Sequence, residues 1–339
     1  MTQQLEQTAQ ALVADGKGIL AADESTGTIK KRFDQINTES TEQSRRDYRE
    51  MLFSSTEAMK NYISGVILFD ETLRQSSREG TPLVEMISDT GAVPGIKVDK
   101  GAKPLAGAPG ESVTEGLDGL RERFSEYYDL GARFAKWRAV ITIAEGIPSQ
   151  YCLNANADAL ARYAALAQEA QIVPIVEPEV IMDGPHTIER CFTVTEAALK
   201  ALYNSLFEQR IILEGTILKP NMVVSGTECA TQADIAQVVE LTIKCLKRTV
   251  PAAVPGICFL SGGQSDEDAT AHLSAMNTGF DLPWKLSFSY GRALQQSALK
   301  AWSGKEENWT AAQNAFAHRA KMNGLAALGR WREDLERAA

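Results

Sequence analysis

Lys97, Lys136 and Lys219 stand at the ends of three apolar runs, PGIKVDKG, GARFAKWRAV and GTILKPNMV. An ammonium is costly to desolvate, so a lysine in such a setting shifts its pKa or meets a partner. One buried lysine reads as a paired structural ion. Three at matching places in three strands read as a cationic pocket, and a desolvated amine beside other cations has the chemistry of a Schiff-base nucleophile. Lys219, between Leu218 and Pro220, has the most apolar setting and is the candidate nucleophile.

Carboxylates that could move protons stand near by in the strand order. Glu177 lies in IVEPE, and a carboxyl of raised pKa there would protonate a departing hydroxyl and later move protons at carbon. Glu179 is counted with it: its like charge would push Glu177 up, while the lysines pull it down. Asp23, in LAADES, is a candidate base for a substrate hydroxyl, and its competing reading is a helix N-cap. For each of these groups taken alone, a structural ion pair remains the competing reading.

Two segments suit phosphate. Ser261, Gly262 and Gly263 leave one apolar run into a glycine-rich loop, and Ser289, Gly291 and Arg292 follow the next. Backbone N–H groups at such loops bind anions. A second anion site is read at Ser25, Thr28, Lys31 and Arg32 of STGTIKKR, with Lys97 joining it; the competing reading is a solvated basic helix face.

The elements that must carry these residues are eight runs of strand length: 18–23, 63–70, 94–99, 132–140, 172–180, 215–223, 255–263 and 284–291. Most are continuously apolar, as parallel strands covered on both faces are. Helical patterns lie between them. Leu117, Leu120, Phe124 and Tyr128 return to one face before Gly131, and Ser40 with Gln43 has capping-box spacing. Strands alternating with helices predict an α/β fold, a single-domain (β/α)8 TIM barrel over residues 1–339 with extra C-terminal helices after 307. The candidate residues then collect at the carboxyl ends of the strands, where such barrels place active sites.

Composition narrows the function. The chain of 339 residues is 44% hydrophobic and 23% charged, with formal net charge −9. That balance argues against a nucleic-acid partner and makes a cationic pocket a local feature suited to a small anion. No run approaches a membrane span, and the first residues lack a signal-peptide pattern. Five scattered cysteines without a C-x-x-C pair predict reduced thiols in the cytoplasm. Three dispersed histidines show no ligand spacing, so no metal and no cofactor is expected.

LAADESTGTIKKR, GIKVDKG, AKWR, PIVEPE, ILKPNMV, FLSGGQS and FSYGRALQ, in this order over about residues 5–330, resemble the class I fructose-1,6-bisphosphate aldolases. The resemblance implies a metal-free barrel enzyme, usually a homotetramer, that cleaves fructose 1,6-bisphosphate to dihydroxyacetone phosphate and glyceraldehyde 3-phosphate. It implies Lys219 as the Schiff-base lysine, Glu177 as general acid/base, Asp23 as base for the C4 hydroxyl and Lys136 as a polarising lysine. It implies Ser261, Gly262, Gly263, Ser289, Gly291 and Arg292 around the C1 phosphate, and Ser25, Thr28, Arg32 and Lys97 around the C6 phosphate. Arg138 lies beside the site. Animal members carry a tail ending in tyrosine that assists proton transfer at the enamine; this chain ends LERAA, so by the resemblance either another group protonates the enamine carbon or that step is slower. The alternatives are an aldolase acting mainly on another phosphorylated ketose, such as sedoheptulose 1,7-bisphosphate, and a barrel kept as a scaffolding protein.

Overall fold

Parallel strands form where β-branched and aromatic residues run together between helices, and that pattern recurs along the chain. The computed structural model describes residues 2–337; the last two residues of LERAA lie outside them. The strands are β1 (Gly18–Ala22), β2 (Ile63–Leu68), β3 (Val93–Lys97), β4 (Ala102–Pro104), β5 (Ser112–Thr114), β6 (Phe134–Ile141), β7 (Val173–Val180), β8 (Ile217–Leu218), β9 (Gly256–Phe259) and β10 (Lys285–Tyr290). Eight of them close a parallel barrel in the order β1-β10-β9-β8-β7-β6-β3-β2, while β4 and β5 form a small antiparallel hairpin beyond β3. All eight strand-length runs are barrel strands.

The strands alternate with period two, although their sequences look continuously apolar. Ile19, Ala21, Ile67, Phe134, Val173, Ile175, Ile217 and Cys258 face one another inside the barrel. Their neighbours Leu20, Ala22, Val66, Leu68, Ile96, Ala135, Trp137, Val176, Leu218 and Phe259 pack outward against the helices. Both faces are buried by different partners, which hides the alternation in the sequence. Leu5, Ala9 and Leu12 of the helix Thr2–Leu12, with Val13, join the interior cluster and form the barrel floor.

Small residues make room for this filling. A Cβ added to Gly95 would stand 2.3 Å from the Phe134 ring, and one added to Gly65 would stand 2.6 Å from Leu12. β8 is only two residues long because Pro220 has no N–H to continue the ladder. Lys219 N–H still donates to the Val176 carbonyl at 2.9 Å, and Leu260 N–H donates to the Pro220 carbonyl at 3.0 Å, so the segment keeps its place in the wall.

One local expectation is corrected, one is borne out, and one competing reading falls. The capping box is one residue further on: Thr41 Oγ1 accepts the Ser44 N–H at 3.0 Å and Ser44 Oγ accepts the Thr41 N–H at 2.9 Å. Leu120 and Phe124 are buried in one core cluster with Leu117 and Tyr128 packed against it, as their spacing expects, and Tyr127 is buried beside them. Asp23 caps no helix, since the N-cap of Thr26–Asp34 is Ser25. After the barrel, the helix Trp309–Ala327 packs on the helix Arg292–Trp302, and a 3-10 turn follows at Glu333–Arg337. Among the described residues, no helix is long and apolar enough to cross a membrane.

Gly95→Ala should lower stability by roughly 1–3 kcal/mol, the usual effect of overpacking a filled interior. Urea denaturation measures it; a midpoint equal to wild type would contradict the close approach of Phe134.

Candidate functional site

The interior rows that are apolar in the floor become charged two residues later. Asp23 follows Ala21, Lys97 follows Gly95, Lys136 follows Phe134, Glu177 follows Ile175 and Lys219 follows Ile217, each on the same inward row. Register then sets their neighbours: Lys97 pairs with Lys136, and Arg138 pairs with Glu177. The barrel therefore delivers these side chains to one cavity of about 890 Å³ at the carboxyl ends of the strands.

In its centre four side chains form a file of alternating charge type. Lys136 Nζ lies 2.7 Å from Asp23 Oδ2 and 3.3 Å from Glu177 Oε2, and Lys219 Nζ lies 3.2 Å from Glu177 Oε1. All but Asp23 are at most 4% exposed. Among the described residues, Glu177 Oε2 has no hydrogen-bond partner, although Lys136 Nζ stands 3.3 Å away. One buried carboxylate oxygen thus remains free to accept.

Electrostatics follow from this packing. Burial pushes the Asp23 carboxyl up, but Lys136, Lys219 and Lys97 outweigh it and hold it well below the usual range. Burial likewise pushes Glu177 up, and Lys136, Lys219 and Arg138 bring its pKa below the ordinary glutamate value. Of the two opposing influences read from the sequence, the pull of the lysines prevails. Glu179 does not supply the like-charge repulsion because its carboxylate is tied to Arg138 Nε. Burial lowers Lys136, and Asp23, Glu177 and Asp99 more than reverse it, so its pKa is raised.

The other candidate residues ring this file. Lys97 Nζ donates to the Asp99 carbonyl at 2.8 Å and to Asp99 Oδ1 at 2.6 Å. Ser25 Oγ lies 3.1 Å from Thr28 Oγ1, and Arg32 is bonded to Glu24. On the other side are Ser261, Gly262, Ser289, Gly291 and Arg292. Ser289 Oγ is buried and has no hydrogen-bond partner, which is costly unless a ligand supplies one. Arg292 donates to the Gly262 carbonyl at 3.3 Å and to the Gln264 carbonyl, so the loop after β9 is tied to the helix after β10. Gly291 begins that helix, and Arg32 Nη2 would lie 3.6 Å from a Cβ placed there. The two sets of anion-binding candidates thus meet where β1 pairs with β10.

Lys31 is exposed and does not line the cavity, and Gly263 is the other exception. It is exposed, lies off the cavity wall, and directs its N–H at Met182 Sδ, 2.9 Å away. Several groups near the wall were not singled out by sequence reasoning. Arg49 and Gln295 hold Glu24 from behind, and Arg123 binds the Val98 and Gly116 carbonyls. Arg49 left one signal, a charge among the apolar Tyr48, Met51 and Leu52. Gln295 and Arg123 left none. Nine lysines and arginines and seven aspartates and glutamates line the cavity, a local excess of positive charge in an acidic chain.

Known proteins resemble this chain over nearly its whole length. The family described as "Glycolytic: Fructose-bisphosphate aldolase class-I" matches residues 4–339. The "Probable fructose-bisphosphate aldolase class 1" of Xanthomonas campestris pv. campestris is 62% identical over 331 residues, 97% of this chain and 99% of that protein. The "Fructose-bisphosphate aldolase 6, cytosolic" of Arabidopsis thaliana is 56% identical over 320 residues, 94% of this chain and 89% of that one. The structure of fructose-bisphosphate aldolase from Plasmodium falciparum, in complex with TRAP and a small-molecule inhibitor, superposes with a TM-score of 0.96 at 49% identity, covering 98% of this chain and 96% of that one. A match over nearly the whole length, joined to an inward row of charged residues above an apolar floor, places this chain in the class I fructose-bisphosphate aldolase family.

Proposed function

We propose that the cavity cleaves fructose 1,6-bisphosphate through a Schiff base on Lys219, with Glu177, Asp23 and Lys136 as its proton-handling and charge-balancing partners. The observation that carries this reading is the buried file Asp23–Lys136–Glu177–Lys219, in which a candidate nucleophile lies 3.2 Å from a candidate acid/base. Glu177 rests as a carboxylate, so its acid proton must be received rather than stored. It takes that proton from the Lys219 ammonium, and the freed electron pair of the neutral amine attacks the C2 carbonyl of the open-chain sugar. After a proton shift from nitrogen to oxygen, Glu177 returns its proton to the hydroxyl. Water leaves, and an iminium remains on Lys219.

Asp23 then accepts the C4 hydroxyl proton. The electrons of the C3–C4 bond pass into the iminium, glyceraldehyde 3-phosphate departs, and an enamine stays on Lys219. Protonation at C3 and hydrolysis release dihydroxyacetone phosphate. Lys136 touches both carboxylates and keeps them anionic between steps. A hydroxyl seated on Asp23 competes with Lys136 for that carboxylate, which restores basicity to Asp23. Glu179 acts through Arg138, its partner at the wall, rather than by carrying a proton. Ser261, Gly262, Ser289, Gly291 and Arg292 seat the C1 phosphate, with Ser289 Oγ as an unfilled donor. Ser25, Thr28, Arg32 and Lys97 seat the other phosphate.

The same reading takes residues 1–339 as one catalytic unit, assembled as a homotetramer in the cytoplasm. The first helix closing the barrel floor supports the unit, and five unpaired cysteines support a reducing compartment. Neither membrane nor nucleic acid is needed by this chemistry. Light scattering should give about four times the 36.9 kDa chain mass; a stable monomer would refute the assembly.

Borohydride reduction in the presence of dihydroxyacetone phosphate should attach the ligand to Lys219, as read by peptide mass, and Lys219→Ala should abolish the adduct. An adduct on another lysine in the wild type would overturn the mechanism.

Acid stability tests the charge file. Asp23 and Glu177 have folded pKa values below their unfolded ones, so their stabilisation is complete above the unfolded values, about pH 4–5, and fades as pH falls through the folded values. Lys136 is raised, so its own contribution is present below its unfolded value and fades only as pH rises through the folded one. Lys136→Met removes the largest attraction holding both carboxyls down. It should cost roughly 3 kcal/mol near neutral pH and move acid unfolding to higher pH. Circular dichroism across an acid titration reads the shift; an unchanged midpoint would contradict the assigned coupling.

A further inference from the structure

Glu24 sits between the candidate base Asp23 and the candidate phosphate ligand Ser25, and two arginines share it. Arg32 Nη1 holds Oε1 from the cavity side. Arg49, on the helix Glu42–Phe53, donates from Nη1 to Oε2 at 2.8 Å. Gln295 Nε2 adds a bond to Oε1 at 2.9 Å. Gln295 is itself fixed by the Tyr48 hydroxyl at 3.2 Å and by its own donation to the Ala21 carbonyl at 2.8 Å. The two arginines differ in reach. The Arg32 side chain is 22% exposed and lines the cavity, whereas the Arg49 side chain is 3% exposed and does not.

One carboxylate can balance one guanidinium. With Arg49 behind it, the Glu24 charge is met from the protein side, and the cluster keeps one net positive charge on the member that faces the cavity. Without Arg49, the Glu24 carboxylate that Arg32 already holds would be balanced by Arg32 alone, the pair would cancel, and no net positive charge would be left for an incoming anion. A low-dielectric setting strengthens both effects.

We propose that Arg49 is a positioning residue for phosphate recognition: by balancing Glu24 from behind, it leaves the charge of Arg32 available to the phosphate farther from the Schiff-base carbon. It thereby sets the preference for bisphosphorylated over monophosphorylated ketoses. This rests on the reading of Ser25, Thr28 and Arg32 as the seat of that phosphate.

The test is the ratio of kcat/KM for fructose 1,6-bisphosphate to that for fructose 1-phosphate, which lacks the second phosphate. Arg49→Met should lower this ratio roughly 5- to 30-fold, the range for coupled members of one ion-pair network, chiefly by raising KM for the bisphosphate. Adding Glu24→Gln to Arg49→Met should return most of the ratio, because the amide no longer claims Arg32. A purely structural role gives the opposite, with the second change adding damage to both substrates alike. If Arg49→Met alone does not fold, the double variant, which removes both buried charges, is compared with Glu24→Gln. Equal ratios support the proposal, and a much lower ratio in the double variant overturns it. Arg32→Met separates the two readings. If it leaves the ratio at the wild-type value, the phosphate seat is misplaced and this proposal falls with it. If it lowers the ratio while Arg49→Met does not, the proposal alone is overturned.

Discussion

The Glu177 carboxylate lies between two lysine nitrogens in a space nearly closed to water, and the charges around it are arranged to make that burial tolerable. A lone ion there would be driven to its neutral form. Asp23 on the far side of Lys136 supplies the fourth member, so acidic and basic groups alternate across the barrel mouth. Breaking one contact leaves an uncompensated charge, which is far more costly than never having buried the pair. Reactivity and stability therefore draw on the same contacts. A ligand that takes one contact loosens the next, which is how proton affinities inside the file can change during a turnover.

The barrel makes this arrangement reproducible. Inward-facing positions recur every second residue, and parallel register fixes which of them meet. The apolar floor residues Ala21, Phe134, Ile175 and Ile217 set the height at which Asp23, Lys136, Glu177 and Lys219 emerge. A one-residue slip of any of these strands would turn its charged side chain toward the surrounding helices. The close fit of Gly95 against Phe134 and of Gly65 against Leu12 guards against such a slip, because another register would set side chains against backbone that only glycine leaves clear.

How much of this was legible depended on whether a residue's partners were local or distant. All eight barrel strands could be read from their apolar runs, and Lys97, Lys136 and Lys219 from their mismatch with those runs. The cavity gathers nearly all the candidate residues because strand ends in a parallel barrel share one rim. Gly263 differs since its loop turns outward and meets Met182, a contact 81 residues away in sequence. The sense of the Glu177 shift stays open in the sequence for a related reason: Glu179 is adjacent in sequence, but its charge is engaged by Arg138. Arg49 and Gln295 act on Glu24 across 25 and 271 residues, and spacing carries no mark of such pairs. The capping box moved by one residue because Ser, Thr and Glu crowd positions 39–44, and several of them fit the same pattern.

The helix Thr2–Leu12 has an unusual place in the order of synthesis. Its side chains Leu5, Ala9 and Leu12 share one interior cluster with Ile19 and Ile67, but also with Ile217 and Cys258. This early segment thus cannot complete its final packing until β9 has been made. That is about 250 residues later, on the order of ten to fifty seconds at ~5–20 residues per second. For that interval an apolar helical face has no permanent neighbour. The helix carries polar residues such as Gln3, Gln4, Glu6, Gln7 and Gln10 on its other sides. Their solubility lets a nascent chain carry its own stopper until the barrel is ready to receive it.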